Sequence, residues 1–156
     1  MILKLDIGSG IFKRLDPSWT TVDKYVDADV AADMWNLPYG DGEVDAIWSS
    51  HALEHVARAQ VIPTLQEWYR VLRMGGECTI QVPDMDSAAR TWLELGDPAV
   101  VNIFGAQDHE GEFHKTGWTL KGLVADLREV GFKVNEARVL WTPDYTQYSI
   151  RTESVK

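Results

Sequence analysis

Apolar and polar positions alternate over residues 2–7, which predicts a strand opening the chain. The alternation stops at Gly8-Ser9-Gly10. Two glycines one residue apart let the backbone turn tightly and let a ligand come close to the main chain. Thr21-Val22-Asp23 reads as the end of a second short strand, residues 26–33 hold a third, and residues 44–49 are apolar enough for the middle of a sheet. Residues 51–56 begin a short helix. Helical spacing then takes over at 59–73, where Val61, Ile62, Leu65, Trp68, Tyr69 and Leu72 recur on one face. Pro63 fits there in a first turn, and Gly75-Gly76 reads as the stop. Residues 78–82 form the next strand, ended by Pro83, and 87–95 a helix. Residues 96–118 are irregular. Thr119 caps a helix carrying Leu120, Leu123, Val124, Leu127 and Val130, with Gly131 behind it. Residues 132–141 and 147–152 are two final strands around a Thr142-Pro143-Asp144 turn. This order predicts one α/β domain over residues 1–156, with a mostly parallel sheet and an antiparallel last strand at its edge.

Composition narrows the function. A length of 156 residues with 45% hydrophobic residues suits one core, and most of the seven tryptophans are expected in the core or a cleft wall. A net charge of −9 without a Lys/Arg run argues against a nucleic-acid partner. The single cysteine, Cys78, sits in an apolar stretch and reads as core packing. No secretory signal or membrane-length apolar run is read, so no membrane partner and a cytoplasmic location are expected.

The candidate chemistry lies in three places. Asp6-x-Gly8-x-Gly10 departs from the dinucleotide fingerprint, which wants a third glycine where this chain has Lys13. Asp23, ending the second strand, can bridge two ribose hydroxyls; its plain alternative is a turn aspartate. His51-Ala52-Leu53-Glu54-His55 matches the H-x-x-E-H pattern of inverted zinc proteases, with His51 and His55 sharing one face if the segment is helical. A packed His55 in an ordinary helix is the reading preferred to zinc, and no metal is expected. Asp108-His109-Glu110-Gly111-Glu112-Phe113-His114 is open to three uses: a solvated loop, a metal site, or a lid over an acceptor pocket with His109 or His114 as base.

Asp33 through Tyr39, then Gly42-Glu43-Val44-Asp45, Ser49 through Val56, and Val71 through Gly76 ahead of a strand together resemble the class I S-adenosylmethionine-dependent methyltransferases, nearest the small type 11 branch. The resemblance runs over about residues 3–82. It implies a Rossmann-like, three-layer αβα fold and the cofactor S-adenosylmethionine. It places Asp6, Gly8 and Gly10 under the methionine part, Asp23 at the ribose, and Asp33 at the adenine amino group with Met34 and Trp35 beside the ring. Ser49 and His51 would face the sulfonium. The acceptor implied is a small molecule or sugar-like metabolite. Family members usually carry helical sequence before the first strand, so the cleft here is expected to be open or closed by a second subunit, as a homodimer. A non-catalytic cofactor-binding or scaffold domain is the rival, and a nicotinamide dehydrogenase is disfavoured by the missing glycine.

Overall fold

The computed structural model describes residues 2–11, 16–96, 100–142 and 147–156; Lys13 and the Pro143-Asp144 turn lie outside them. Strand β1 (Lys4–Ile7) is followed by β2 (Thr20–Asp23), β3 (Val30–Ala31) and β4 (Val44–Ser50). Helix α1 (Arg58–Val71), β5 (Leu72–Pro83), α2 (Met85–Leu95), the short α3 (Val101–Phe104) and α4 (Leu120–Val130) come next, and β6 (Lys133–Thr142) and β7 (Gln147–Val155) close the chain. The sheet has the order β3-β2-β1-β4-β5-β7-β6. All pairings are parallel except those of β7, which is antiparallel to both neighbours. The last strand is thus antiparallel as expected, but β6 takes the edge and β7 sits one place inside it.

Leu5, Ile7, Val22, Ile47 and Ile80 from the strands meet Val61, Leu65 and Trp68 of α1 and Leu123 and Leu127 of α4 in the core. Burying such side chains stabilises by about 1.5–3 kcal/mol each. Caps fix the helix ends. Thr119 accepts from Gly122 N at 3.2 Å, and Gly131 ends α4 at φ 115, both as the sequence implies. Asp84 caps α2 by accepting from Ser87 N at 3.1 Å.

Three expectations fail for local reasons. Helix α1 starts at Arg58, so Pro63 stands in its second turn, where the Thr64 hydroxyl donates to the Gln60 carbonyl. It ends at Leu72 without a glycine, because Leu72 is already extended and paired with Val44. Gly75 and Gly76 lie inside β5 instead, where a side chain on Gly76 would meet the Arg73 and Asp45 carbonyls at 2.9 and 3.2 Å. The tryptophans also divide. Trp68 and Trp118 are buried with their indole N–H groups on the Met34 carbonyl and Asp126 Oδ2, and Trp35 walls a cleft. Trp19 and Trp48 are half-buried against the cations of Lys4 and Arg151, and Trp92 and Trp141 are exposed. Cys78 is buried in β5 as expected, and burial raises its thiol pKa far above the ordinary value.

Candidate functional site

Neighbouring β1, β2 and β4 run in parallel, yet the chain steps outward from β1 through β2 to β3 on one side and then crosses back to β4 on the other. The loops after their carboxyl ends must therefore diverge, and a crevice opens between them. A cleft of about 360 Å³ lies there. Gly8, Gly10, Asp23, Asp33, Met34, Trp35, His51 and His109 all line it. Asp6, Ser49 and His114 do not. Asp6 and Ser49 are buried within β1 and β4, and the His114 side chain lies behind the wall, only 12% exposed.

The turn after β1 is specified by its glycines. Gly8 has φ 67, and a Cβ there would stand 2.2 Å from Ala52 Cβ, so no side chain fits. Gly10 also has a positive φ, 54, but a Cβ there would meet nothing within 4 Å. The turn also spends its own N–H groups. Gly8 N and Ser9 N donate to the Val22 carbonyl and Gly10 N donates to Asp23 Oδ2 at 2.9 Å, so these three N–H groups are engaged within the protein. What the turn offers a ligand is close approach. Asp23 Oδ1 accepts from Tyr25 N at 2.8 Å and Val26 N at 3.3 Å, so this carboxylate binds both loop ends together. Oδ1 is filled by these two donors, while Oδ2, which accepts from Gly10 N, keeps a further lone pair.

Lys24 and Tyr25 line the same wall, although the pattern of the chain gave no sign of them. Lys24 Nζ pairs with Asp33 Oδ1 at 2.8 Å, and this hydrogen bond raises the ammonium pKa above its usual value. The Asp33–Trp35 loop is tethered from behind, where Glu67 accepts from Leu37 N at 2.8 Å.

At the other end, residues 51–56 do not form the expected α-helix. His51 has φ 52, and Leu53–His55 is a single 3-10 turn. His51 and His55 therefore leave in different directions instead of sharing a face. His51 Nε2 lies 3.0 Å from Ser149 Oγ, and Nδ1 lies 3.3 Å from Glu54 Oε1. A buried polar chain leads to this point. Gln81 Nε2 donates to Thr142 Oγ1 at 3.3 Å, which donates to Ser149 Oγ at 2.8 Å. Gln147 Nε2 also lies 3.5 Å from His51 Nδ1, so this nitrogen faces both an amide donor and the Glu54 carboxylate.

Glu54 is wholly buried. Burial pushes its pKa up, but the His51 contact and the imidazoles of His51, His55 and His114 outweigh this and hold it below the usual carboxylate value. His55 Nδ1 lies 3.1 Å from the Phe113 carbonyl, and His114 Nε2 lies 4.0 Å from Glu54 Oε1. Burial holds the His114 pKa below the ordinary histidine value.

Residues 105–117 cross between the two ends. His109 packs against Tyr25 with ring centroids 6.1 Å apart, and Lys115 N and Thr116 N donate to the Glu54 carbonyl. Three glycines around this segment are sites of close packing. A Cβ would stand 1.9 Å from the Glu112 carbonyl at Gly105, 2.9 Å from the Tyr25 ring at Gly111 and 2.6 Å from Met85 at Gly117.

Residues 5–80 match the family model described as Methyltransferase domain. No curated protein sequence matches the chain. Solved structures do. A methyltransferase from Methanosarcina mazei, S-adenosylmethionine-dependent by its description, matches with TM-score 0.74 and 20% identity over 98% of this chain and 91% of its own. The Burkholderia thailandensis 1,6-didemethyltoxoflavin-N1-methyltransferase, solved with that molecule and S-adenosylhomocysteine bound, matches with TM-score 0.68 and 16% identity over 99% and 70%. A Thermotoga maritima protein described as a possible histamine N-methyltransferase matches with TM-score 0.69 and 17% identity over 99% and 82%.

Proposed function

We propose, from the premise that this chain is a class I S-adenosylmethionine-dependent methyltransferase of the type 11 kind, that it binds S-adenosylmethionine in the cleft after β1, β2 and β4 and methylates a small-molecule acceptor. The observation that carries the reading is the glycine turn. Gly8 is pressed onto Ala52 while the main chain at Gly10 stays bare towards the cleft, which is room for a ligand where the strand order reverses. Asp23 keeps a lone pair on Oδ2 for a ribose hydroxyl, and Met34 and Trp35 supply apolar wall for a purine. Asp23, Asp33, Asp108 and Glu112 outnumber Lys24 and Lys115 around the cleft, a balance that favours a cation. When bound, S-adenosylmethionine supplies a methyl group on a sulfonium, and holding an acceptor close and in line with it supplies much of the acceleration.

The two relatives named for small nitrogen-bearing acceptors support a small molecule over a macromolecule, and the net charge of −9 disfavours nucleic acid. Among the described residues no helix is long and apolar enough to cross a membrane. Of the two histidines expected as base, His109 lines the cleft, with its Nδ1 accepting from Gly111 N at 3.1 Å, and His114 does not, which favours His109 over His114 as the group that takes an acceptor proton. Side-by-side calorimetric titrations with S-adenosylhomocysteine and NAD test the cofactor. One site for the former and none for the latter is expected, and the reverse pattern would overturn the reading.

A further inference from the structure

The H-x-x-E-H spacing brings its residues to a different constellation from the one a helix would give. Glu54, His55 and His114 each offer one donor atom, and the three atoms lie within 4.8 Å of one another. His51 is not among them, because its ring is turned towards Ser149 of β7. We propose that Glu54, His55 and His114 form a binding site for one divalent first-row metal ion of the zinc class, at the histidine end of the cleft.

Glu54 carries the argument. It has no solvent exposure, and Oε2 has no hydrogen-bond donor among the described residues. A buried carboxylate in that condition calls for a cation. Its neighbours are imidazoles, which fit that need as ligands. The His55 Nδ1 proton is taken by the Phe113 carbonyl at 3.1 Å, which fixes the tautomer and leaves Nε2 with a free lone pair. Metal-binding histidines are commonly oriented by such a second contact to a carbonyl. The His114 ring packs edge-on against His55 with centroids 5.1 Å apart, and its Nε2 faces Glu54. His51 then serves as the outer partner of the carboxylate, its Nδ1 3.3 Å from Oε1.

Two imidazoles and a carboxylate are a zinc-type donor set, and three protein ligands leave a position open. Ligand atoms on one tetrahedral zinc stand about 3.4 Å apart, so small side-chain rotations have to draw the donors together. His55 lines the cleft while Glu54 and His114 stand behind it, so the open position faces the cleft. There the ion can take an acceptor oxygen or nitrogen and ease loss of its proton, a role that rests on the methyl-transfer reading. Metal binding itself does not rest on it.

The test starts from chelator-treated full-length protein titrated with zinc against a chromophoric competitor, and with cobalt followed by visible absorption. One equivalent of zinc, and cobalt bands of tetrahedral intensity, are expected. His55→Ala and His114→Ala, which touch partly exposed side chains, should each weaken zinc about a hundredfold or more and remove the cobalt bands. His109→Ala should keep both. S-adenosylhomocysteine titrations on the same samples report the cofactor site separately. Absence of stoichiometric zinc in the parent protein, or zinc affinity indifferent to His55→Ala and His114→Ala, would overturn the proposal whatever the cofactor result.

Discussion

The glycine end of the cleft is built mostly from short-range contacts, whereas the histidine end is assembled from segments far apart in the chain. At the first, Gly8, Gly10 and Asp23 lie within a few residues of two adjacent strand ends and are joined by backbone hydrogen bonds. At the second, Glu54 meets His51, His114 and the backbone of Lys115, and His51 meets Ser149. A turn held by main-chain bonds recognises by shape and close approach. A cluster of buried titratable groups holds charge and protons. One cleft thus has an end suited to gripping a ligand and an end suited to chemistry.

The largest expected effect breaks the glycine end alone. Gly8→Val puts a branched side chain where a Cβ already falls 2.2 Å from Ala52, at positive φ. A loss of about 3 kcal/mol or more of stability by denaturant unfolding is expected, together with loss of S-adenosylhomocysteine binding. Gly10→Ala, strained but in open space, should cost about 1 kcal/mol. Equal losses would show that the Ala52 contact does not hold the turn.

Asp126→Ala probes how the crossing segment is moored. Asp126 Oδ2 accepts from the buried Trp118 indole at 2.8 Å and from Arg58. Its removal leaves that N–H unpaired and should cost about 2 kcal/mol. Thermal unfolding beside Arg58→Ala, whose guanidinium is mostly exposed, separates the two contacts; the arginine variant should lose less.

Much of the first end was legible in the sequence. The strand-to-Gly-x-Gly break, Asp23 at the next strand end, and the Thr119 and Gly131 caps are local signals, and the structure puts them where the pattern says. The engaged state of the turn's N–H groups was not legible, because it depends on where the Val22 carbonyl points. The polar chain Gln81–Thr142–Ser149–His51 gave no signal either. Its members are ordinary strand residues until β5, β6 and β7 lie side by side. The H-x-x-E-H string was visible, yet its geometry was misread, since His51 at positive φ breaks the helix that would have paired it with His55.

A smaller effect concerns the link between the ends. Shortening the segment around Gly111 removes Asp108, His109 and Glu112 from a wall they share with Asp23. S-adenosylhomocysteine should weaken about fivefold by calorimetry, while turnover on an identified acceptor should be lost. Unchanged turnover would remove this segment from the acceptor side.

The smallest is a pH effect behind the Asp33–Trp35 loop. The hydrogen bond from Arg70, helped by Leu37 N, holds the Glu67 pKa below its ordinary 4.5. A carboxylate more acidic when folded adds stability above the unfolded value, and this is lost as pH falls from about 4.5 through the folded value. Glu67→Gln should flatten the fall in melting temperature in that window and leave the neutral-pH slope unchanged; an unaltered acid limb would show that the tether adds nothing.

The division of the cleft is tested most directly by one set of calorimetric titrations of S-adenosylhomocysteine into the parent protein, Asp23→Ala and His114→Ala. Asp23→Ala should weaken binding by about 1–3 kcal/mol, because hydrogen bonds to a charge are lost. His114→Ala should bind within about twofold of the parent, because His114 lies behind the wall at the other end. Unchanged affinity in a folded Asp23→Ala, or an equal loss in both variants, would contradict the assignment of the glycine end to the cofactor.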